Sequence, residues 1–258
     1  MNLLQLFTVL TSAITLTLVV TASEVWASST RVRSQPPQTA NQQETDFSSD
    51  GRPGRREGGG SRSPCLSINS PLTALMPVTN WGKTVKERPT FWFYIPYSPQ
   101  TVRSGEFVLQ NKENNDVYRT PFILPKTPGF VSLSIPATQA PLEINKWYRW
   151  YFKLYCEPQK SSAPVFVEGW VQRSELTTAL ENRLKAATPE EKYTAYSSYS
   201  IWYDAIDSIA ELRLAQPASG TFDSNWAEQL RSVGLERLKQ EPVVGSVVLS
   251  DTVGRQQR

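Results

Sequence analysis

The sequence contains no histidine, and this absence removes several classes of chemistry. Histidine supplies the general base, the metal ligand or the middle member of a catalytic triad in many enzymes. Cysteine is scarce too: Cys65 and Cys156 are the two in the chain, and they form no CxxC or zinc-binding spacing. No GxSxG or SxxK motif marks an activated serine. We therefore expect a protein without catalytic residues, metal or cofactor.

The chain also lacks a large excess of charge of either sign. The chain of 258 residues has 27 Lys and Arg against 24 Asp and Glu, a net charge of +3. This excess is too small to indicate a nucleic-acid partner. Aromatic residues are plentiful, with 8 Trp, 10 Tyr and 10 Phe. The sequence can therefore supply a well-packed core for one or two domains.

Residues 1–27 have the pattern of a signal peptide. Residues 3–22 are apolar apart from Thr, Ser and Gln and carry no charge, and "VWA" at 25–27 fits a cleavage site before Ser28. The first residues carry no Lys or Arg, and the apolar run approaches the roughly 20 residues that span a bilayer. An uncleaved membrane anchor is therefore the alternative. Both interpretations predict an exported protein, periplasmic or extracellular, that meets a membrane only through an uncleaved signal.

Residues 28–64 are rich in Ser, Gln, Pro and Gly and contain one aromatic residue. Such a composition buries too little apolar surface to offset the entropy of ordering, so we predict a disordered linker. Its last part combines a Gly triplet with basic residues, which makes it a flexible basic tether. The alternative is an anion-binding or partner-docking strip. The candidate docking residues are Arg52, Arg55, Arg56 and Arg62.

Residues 65–173 contain seven short β-rich segments separated by Pro, Asn and Gly. This spacing predicts an antiparallel, immunoglobulin-like β-sandwich of seven strands. Cys65 and Cys156 begin and end two of these strands. In an exported protein an isolated pair predicts one disulfide, with two buried free thiols as the alternative.

Residues 174–240 change to a helical period, so the fold class is mostly β with an α-helical C-terminal part. "TPEE" at 188–191 is a capping box that starts a helix at Pro189. Ser200 would separate this helix from the next, as in a tetratricopeptide hairpin. A single repeat lacks the neighbour that would bury its face, so an ordinary hairpin packed on the sandwich is the alternative. Residues 241–258 are predicted to be a flexible tail.

Two of the predicted strands carry aromatic residues on both faces, where one polar face is usual. The first is "TFWFYI" at 90–95, and the second is "WYRWYFKLY" at 147–155. Their second faces would hold an aromatic platform able to stack on sugars. Large exposed apolar patches are rare, so we expect the helices to cover this platform, with an open ligand surface as the alternative. The candidate binding residues are Trp92, Tyr94, Trp147, Arg149, Tyr151 and Tyr155.

Several blocks together resemble a known family: "LTALMP", "PTFWFYIPY", "PGFVSLSIP", "YRWYFKLYCEP", "FVEGWVQR" and "IWYDAIDSIAELR". They are similar to a cyanobacterial family called domain of unknown function 928, over about Gly51 to Lys239. The resemblance implies export, a β-rich body and an α-helical end, and it supplies no catalytic residues. In that family the helical turn carries Gly where this chain has Ser200.

These observations predict an exported, non-catalytic protein-interaction or scaffolding module of the cell envelope, whose partner is an envelope protein. The alternative is a carbohydrate-binding module that uses the aromatic face. A third hypothesis is a hydrolase. It rests on Glu157 and Glu168 in the last two predicted strands, because glycoside hydrolysis needs two suitably spaced carboxylates.

Overall fold

The structure, a computed structural model, describes residues 51–58, 70–156 and 163–250. These ranges hold short strands followed by helices and two more strands. The strands are β1 Glu57–Gly58, β2 Leu72–Ala74, β3 Trp81–Thr84, β4 Thr90–Ile95, β5 Ser104–Gln110, β6 Asp116–Ile123, β7 Gly129–Ser134, β8 Trp147–Tyr155, β9 Val165–Arg173, β10 Val243–Ser246 and β11 Val248–Leu249. The helices are α1 Thr178–Lys185, α2 Pro189–Ser198, α3 Trp202–Ala215 and α4 Gly220–Arg231, with a 3₁₀ turn at Glu236–Leu238.

The strands form two sheets. The five-stranded sheet has the order β1-β2-β4-β7-β10, and the six-stranded sheet has the order β11-β6-β5-β8-β9-β3. The mostly β fold with a helical C-terminal part is confirmed. The finer prediction of a seven-stranded, antiparallel immunoglobulin-like sandwich needs correction, because β3 pairs with β9 and β10 pairs with β7 in parallel. These short strands add to sheet edges and carry little sequence signal of their own.

Aromatic side chains join the two sheets face to face. Phe93 of β4 stacks on Phe152 of β8 with ring centroids 3.9 Å apart, and Phe91 lies 5.3 Å from Phe107 of β5. Alternate residues of β8 are buried in this interface, as a strand with one core-facing side requires. Burial of these rings, roughly 25 cal/mol per Å² of apolar surface, is the main stabilising contribution here.

The helices cover the other face of the five-stranded sheet. The Trp226 ring of α4 lies 4.9 Å from Phe130 of β7, and Trp202 of α3 donates its indole N–H to the Leu75 carbonyl at 2.8 Å. Nine of the fourteen residues of α3 are buried. The capping box at Thr188 and the hairpin of α2 and α3 are present. The hairpin packs on its own sheet, which is the alternative that the sequence left open.

Two predicted flexible segments are partly ordered parts of the fold. Residues 51–58 were predicted to lie in the linker, but β1 pairs with β2, and Arg55 forms a bridge with Glu168 of β9. The predicted tail from 241 likewise contains β10 and β11, which extend the two sheets. Backbone hydrogen bonds to sheet edges order both segments, and composition does not reveal such bonds.

The predicted signal peptide, the rest of the linker with Arg62 and Cys65, and residues 251–258 lie outside the described residues. In the part of the chain that the structure describes, no helix is long and apolar enough to cross a membrane.

Candidate functional site

The outer face of the six-stranded sheet is the side that points away from the five-stranded sheet. On β8, side chains alternate between the buried inner side and a half-buried outer side. The pattern continues on β9, where Trp170, Glu168 and Phe166 face outward. The outward residues of β8 are Trp147, Arg149, Tyr151, Lys153 and Tyr155. Aromatic and charged side chains therefore alternate on this face.

Three indole rings form a tryptophan cluster at one end of the outer face: Trp81, Trp147 and Trp170. Trp81 of β3 is the register partner of Trp170, and its ring meets Trp147 edge-on at 5.2 Å. The guanidinium carbon of Arg52 lies 3.4 Å from the centre of the Trp147 ring and 5.1 Å from that of Trp170. Such cation–π contacts contribute about 0.5–2 kcal/mol.

The segment 51–58 holds Arg52 in this position. The Arg52 N–H donates to the Thr79 carbonyl at 2.8 Å, and the Trp170 indole N–H donates to the Pro53 carbonyl at 2.8 Å. Gly54 permits this close approach, because a Cβ there would lie 2.8 Å from the Cβ of Asn80. Partial burial lowers the pKa of Arg52, but an arginine remains protonated near neutral pH.

The other arginines of the segment have different surroundings. The Arg55 guanidinium lies 4.7 Å from the Phe166 ring centre, on the outer face. Arg56 points elsewhere and donates to the Val233 carbonyl at 2.6 Å, close to the helices. Of the predicted docking residues, Arg52 therefore meets Trp147 of the predicted platform, Arg55 meets Phe166 on the same face, and Arg56 stabilises the fold.

Cross-strand ion pairs occupy the middle of the outer face. Arg149 Nη2 lies 2.6 Å from Glu168, and its guanidinium is 5.0 Å from the Tyr151 ring. Glu106 of β5 pairs with Lys153 at 3.4 Å and with Arg119 of β6 at 2.6 Å. These pairs neutralise one another, and exposed pairs of this kind add about 0–1 kcal/mol each to stability.

Three cations of the outer face differ from the paired ones: Arg52 and Lys83 at the tryptophan cluster, and Arg55 beside Phe166. Among the described residues, no carboxylate oxygen lies within 4.0 Å of the charged nitrogens of Arg52, Arg55 or Lys83. Lys83 is two residues beyond Trp81 on β3 and has the same half-buried exposure, while Gly82 between them faces α3. The side of the outer face where β3 and the segment 51–58 pair with β9 therefore carries uncompensated positive charge.

A polar cleft of about 420 Å³ adjoins the cluster beside Trp147. The loop after β5 and the turn before β8 form its walls, and both loops contain an asparagine in the left-handed conformation, Asn114 and Asn145. The cleft is lined by positively and negatively charged side chains that can form hydrogen bonds, among them Lys112, Glu113, Glu143 and Lys146. A ligand on the cluster would find hydroxyl-binding partners next to the rings.

The six residues predicted for the aromatic platform separate into two groups. β4 and β8 belong to different sheets. Their inner faces pack together, but the face of β4 with Trp92 and the face of β8 with Trp147 point away from each other. Trp92 is 1% exposed and Tyr94 is 4% exposed beneath the helices. Trp147, Arg149, Tyr151 and Tyr155 are half-buried on the outer face. The prediction of a single aromatic platform was therefore wrong, because it joined the face beneath the helices to the outer face of the other sheet.

Sequence reasoning missed Trp81, Lys83 and Trp170. A signal for Trp170 was available, because Phe166, Glu168 and Trp170 alternate on "FVEGW" in the same way as the outer residues of β8. For Trp81 the signal was weaker, since "WGKT" is four residues long.

The carboxylates give little support for catalysis. Glu168 is held by Arg149, and Glu157 lies outside the described residues. Within residues 51–58, 70–156 and 163–250, no group of three or more acidic or cysteine side chains could hold a metal ion.

Residues 57–243 match the model of a family described as Domain of Unknown Function (DUF928). The match covers the strands of the outer face except β11, and all four helices, whereas Arg52 and Arg55 precede it. No curated protein matches the chain.

Proposed function

We propose that this chain, which belongs to the DUF928 family, is an exported, non-catalytic binding module of the cell envelope that holds a polysaccharide on its outer face. The observation that carries the proposal is the alternation of half-buried rings and charged side chains on this face. Sugars present C–H surfaces that stack on aromatic rings and hydroxyl groups that bond to charged side chains. The cyanobacterial origin that the resemblance implies stays a prediction.

The aromatic rings of the outer face do not belong to the core between the sheets. The core between the sheets is built from other rings, such as Phe93, Phe107 and Phe152. The helices cover the five-stranded sheet, whereas the segment 51–58 lies beside β9 and places the side chains of Arg52 and Arg55 on the outer face. Clustered apolar surface on a soluble domain is typical of a binding site.

Two features had favoured a protein partner, the helical hairpin and the basic tether, and both have other roles in the fold. Helix α3 is buried along most of its length, so most of its side chains are not available to a peptide. The side chains of Arg52 and Arg55 lie on the protein's own rings rather than on a free tether. These contacts favour a glycan over an envelope protein as the ligand.

A protein partner remains the second candidate, because one edge of the outer face is apolar. Val117 and Ile123 of β6 are 44% and 46% exposed, and Val248 of β11, the register partner of Ile123, is 47% exposed. An apolar strip of this kind suits a protein contact better than a sugar.

Isothermal calorimetry on the purified exported protein tests the proposal. The probes are soluble neutral and acidic polysaccharides, and the variants are Trp147→Ala and Tyr151→Ala. We expect each variant to bind about tenfold more weakly, which corresponds to about 1.4 kcal/mol. Tyr199→Ala, on the helical hairpin, is the matched control and should bind as the parent does.

Two results would contradict this function. Parental affinity in both aromatic variants would remove the outer face as the site, and absence of binding to any of the polysaccharides would remove the ligand class. Release of new reducing ends, lost in Glu168→Gln, would instead support the hydrolase hypothesis.

A further inference from the structure

We infer that the polysaccharide is acidic and that Arg52, Arg55 and Lys83 recognise its carboxylates along the β9 side of the outer face, from the tryptophan cluster to Phe166. The inference rests on the proposed function and names the chemical class of its ligand. It follows from charge complementarity along this side of the face, where three cations have no carboxylate partner among the described residues.

The cations of the outer face form two sets, one with carboxylate partners and one without. Arg149, Lys153 and Arg119 each have a carboxylate within 3.4 Å. Arg52, Arg55 and Lys83 have none within 4.0 Å among the described residues. A ligand that bore carboxylates would supply the missing counter-charges, whereas a neutral glycan would leave them uncompensated.

The geometry of Arg52 leaves its side-chain N–H groups available to a ligand. Its guanidinium lies 3.4 Å from the Trp147 ring centre, so the indole occupies one face of the guanidinium. The N–H groups lie in the plane of the guanidinium and are not consumed by a ring that contacts its face. No hydrogen bond from the side chain of Arg52 or Arg55 to another described residue is present. These donors are therefore available for a bidentate bond to a carboxylate.

Arg52 and Arg55 are held in place before a ligand binds. The backbone of Arg52 is fixed by the Thr79 carbonyl, and that of Arg55 by two hydrogen bonds with Glu168, at 2.9 and 3.0 Å. The two guanidinium groups are therefore placed on the sheet before any ligand arrives. A fixed donor loses less conformational entropy on binding than a free arginine would.

The spacing of Arg52 and Arg55 favours a polymer over a single sugar acid. Arg52 lies over Trp170 and Arg55 lies over Phe166, and these rings are four residues apart on β9. A strand rises about 3.3 Å per residue, so the two ring-and-cation pairs are separated by roughly 13 Å. A chain with recurring carboxylates can reach both pairs, whereas one sugar acid cannot.

The experiment compares two forms of one polymer, polygalacturonate and its fully methyl-esterified form, by calorimetry on the exported protein. The esterified form keeps the sugar rings and loses the carboxylate charge. We expect at least tenfold tighter binding of the acidic form, weakening as salt is raised because salt screens exposed charges. Lys83→Gln and Arg55→Gln should each weaken binding of the acidic form at least threefold and weaken binding of the ester by a smaller factor. Lys192→Gln on α2 is the control.

The outcomes separate the inference from the function on which it rests. Equal affinity for both forms would overturn the inference and leave a glycan-binding module. Absence of binding to either form and to neutral polysaccharides would overturn both. Equally tight binding of polyglutamate, which has carboxylates but no sugar, would overturn the glycan and favour an acidic protein partner. Because Arg52→Gln would disturb the packing of Trp147, Lys83→Gln is the decisive variant.

Discussion

The indole N–H of Trp92 donates a hydrogen bond to Asp207 at 3.0 Å, from the middle of the five-stranded sheet to helix α3. The other carboxylate oxygen of Asp207 accepts from Lys86 Nζ at 2.7 Å. Asp204, one turn earlier on α3, accepts from the Val85 backbone N–H at 3.1 Å. Two carboxylates of one helix thus satisfy donors from the sheet region, and the docking of α3 depends on this buried polar network.

The first prediction concerns Trp92. Truncation of a fully buried Trp costs about 3–5 kcal/mol, so Trp92→Ala should lower the free energy of unfolding by that amount. Urea denaturation followed by circular dichroism measures it. Trp170→Ala, a half-buried tryptophan of the outer face, is the control and should cost clearly less. A Trp92→Ala variant that unfolds at the same urea concentration as the parent would show that the helices do not hold this face.

The second prediction concerns the pH dependence of stability. Burial raises the pKa of Asp204 from 3.8 to about 6, although the Lys86 ammonium opposes the shift. Among the described residues, one oxygen of this carboxylate has no hydrogen-bond partner. A carboxyl group with a raised pKa in the folded state contributes stability that is complete below its unfolded pKa and is lost as the pH rises through about 6. Relative to Asp204→Asn, the parent should therefore lose roughly 3 kcal/mol between about pH 4 and pH 8.

The measurement is the difference in unfolding free energy between parent and variant at each pH, in which groups common to both proteins cancel. Asp116→Asn is the control with the opposite sign. Hydrogen bonds from Gln110 and Arg119 lower the pKa of Asp116, so its contribution is lost as the pH falls below about 4. A parent-minus-variant difference for Asp204→Asn that stays constant over this range would contradict the prediction.

Alternation along single strands was readable from the sequence, but the partners of those strands were not. The outward and inward positions of β4 and β8 follow from period-two patterning. Whether Trp92 and Trp147 share a surface depends on which sheet each strand joins, and that is decided by long-range pairing. The capping box at Thr188 was predicted because its two hydrogen bonds join residues three apart.

The segment at Arg52 shows the complementary limit. Its composition buries little apolar surface, so it has the appearance of a linker. It is ordered by backbone hydrogen bonds to Thr79 and Glu168, which lie far away in the sequence. The strand of Trp81 was missed for a related reason, because a four-residue strand depends on its neighbour β9 rather than on its own pattern.

The third prediction concerns Ser200, which ends α2 in the left-handed conformation with φ of +55°. Ile201 donates its N–H to the Tyr196 carbonyl at 2.9 Å, and Ser200 donates to Ser197 at 3.0 Å, a Schellman motif. Glycine is preferred at this position because it has no Cβ to clash. Ser200→Gly should therefore raise the free energy of unfolding by about 0.5–1 kcal/mol.

Thermal denaturation with a matched substitution tests this prediction. Ser224→Gly, on the exposed side of α4, changes the same residue types in an ordinary helical conformation. It should destabilise the protein by about 0.5 kcal/mol, because glycine is a poor helix former. Destabilisation of similar size in both variants would contradict the account of the turn.

The last prediction is that Cys65 and Cys156 form a disulfide in the exported protein. Cys156 directly follows β8 and packs against the core, and Cys65 lies outside the described residues. Closing a loop of about 90 residues restricts the unfolded chain and stabilises the fold by about 4 kcal/mol in the chain-entropy model. Titration of thiols in denaturant without reductant should then find none, and two thiols per chain would contradict the bond. The double variant Cys65→Ser with Cys156→Ser should unfold like the reduced parent, because both lack the same constraint. If reduction left the parent's stability unchanged, the bond would contribute nothing to folding.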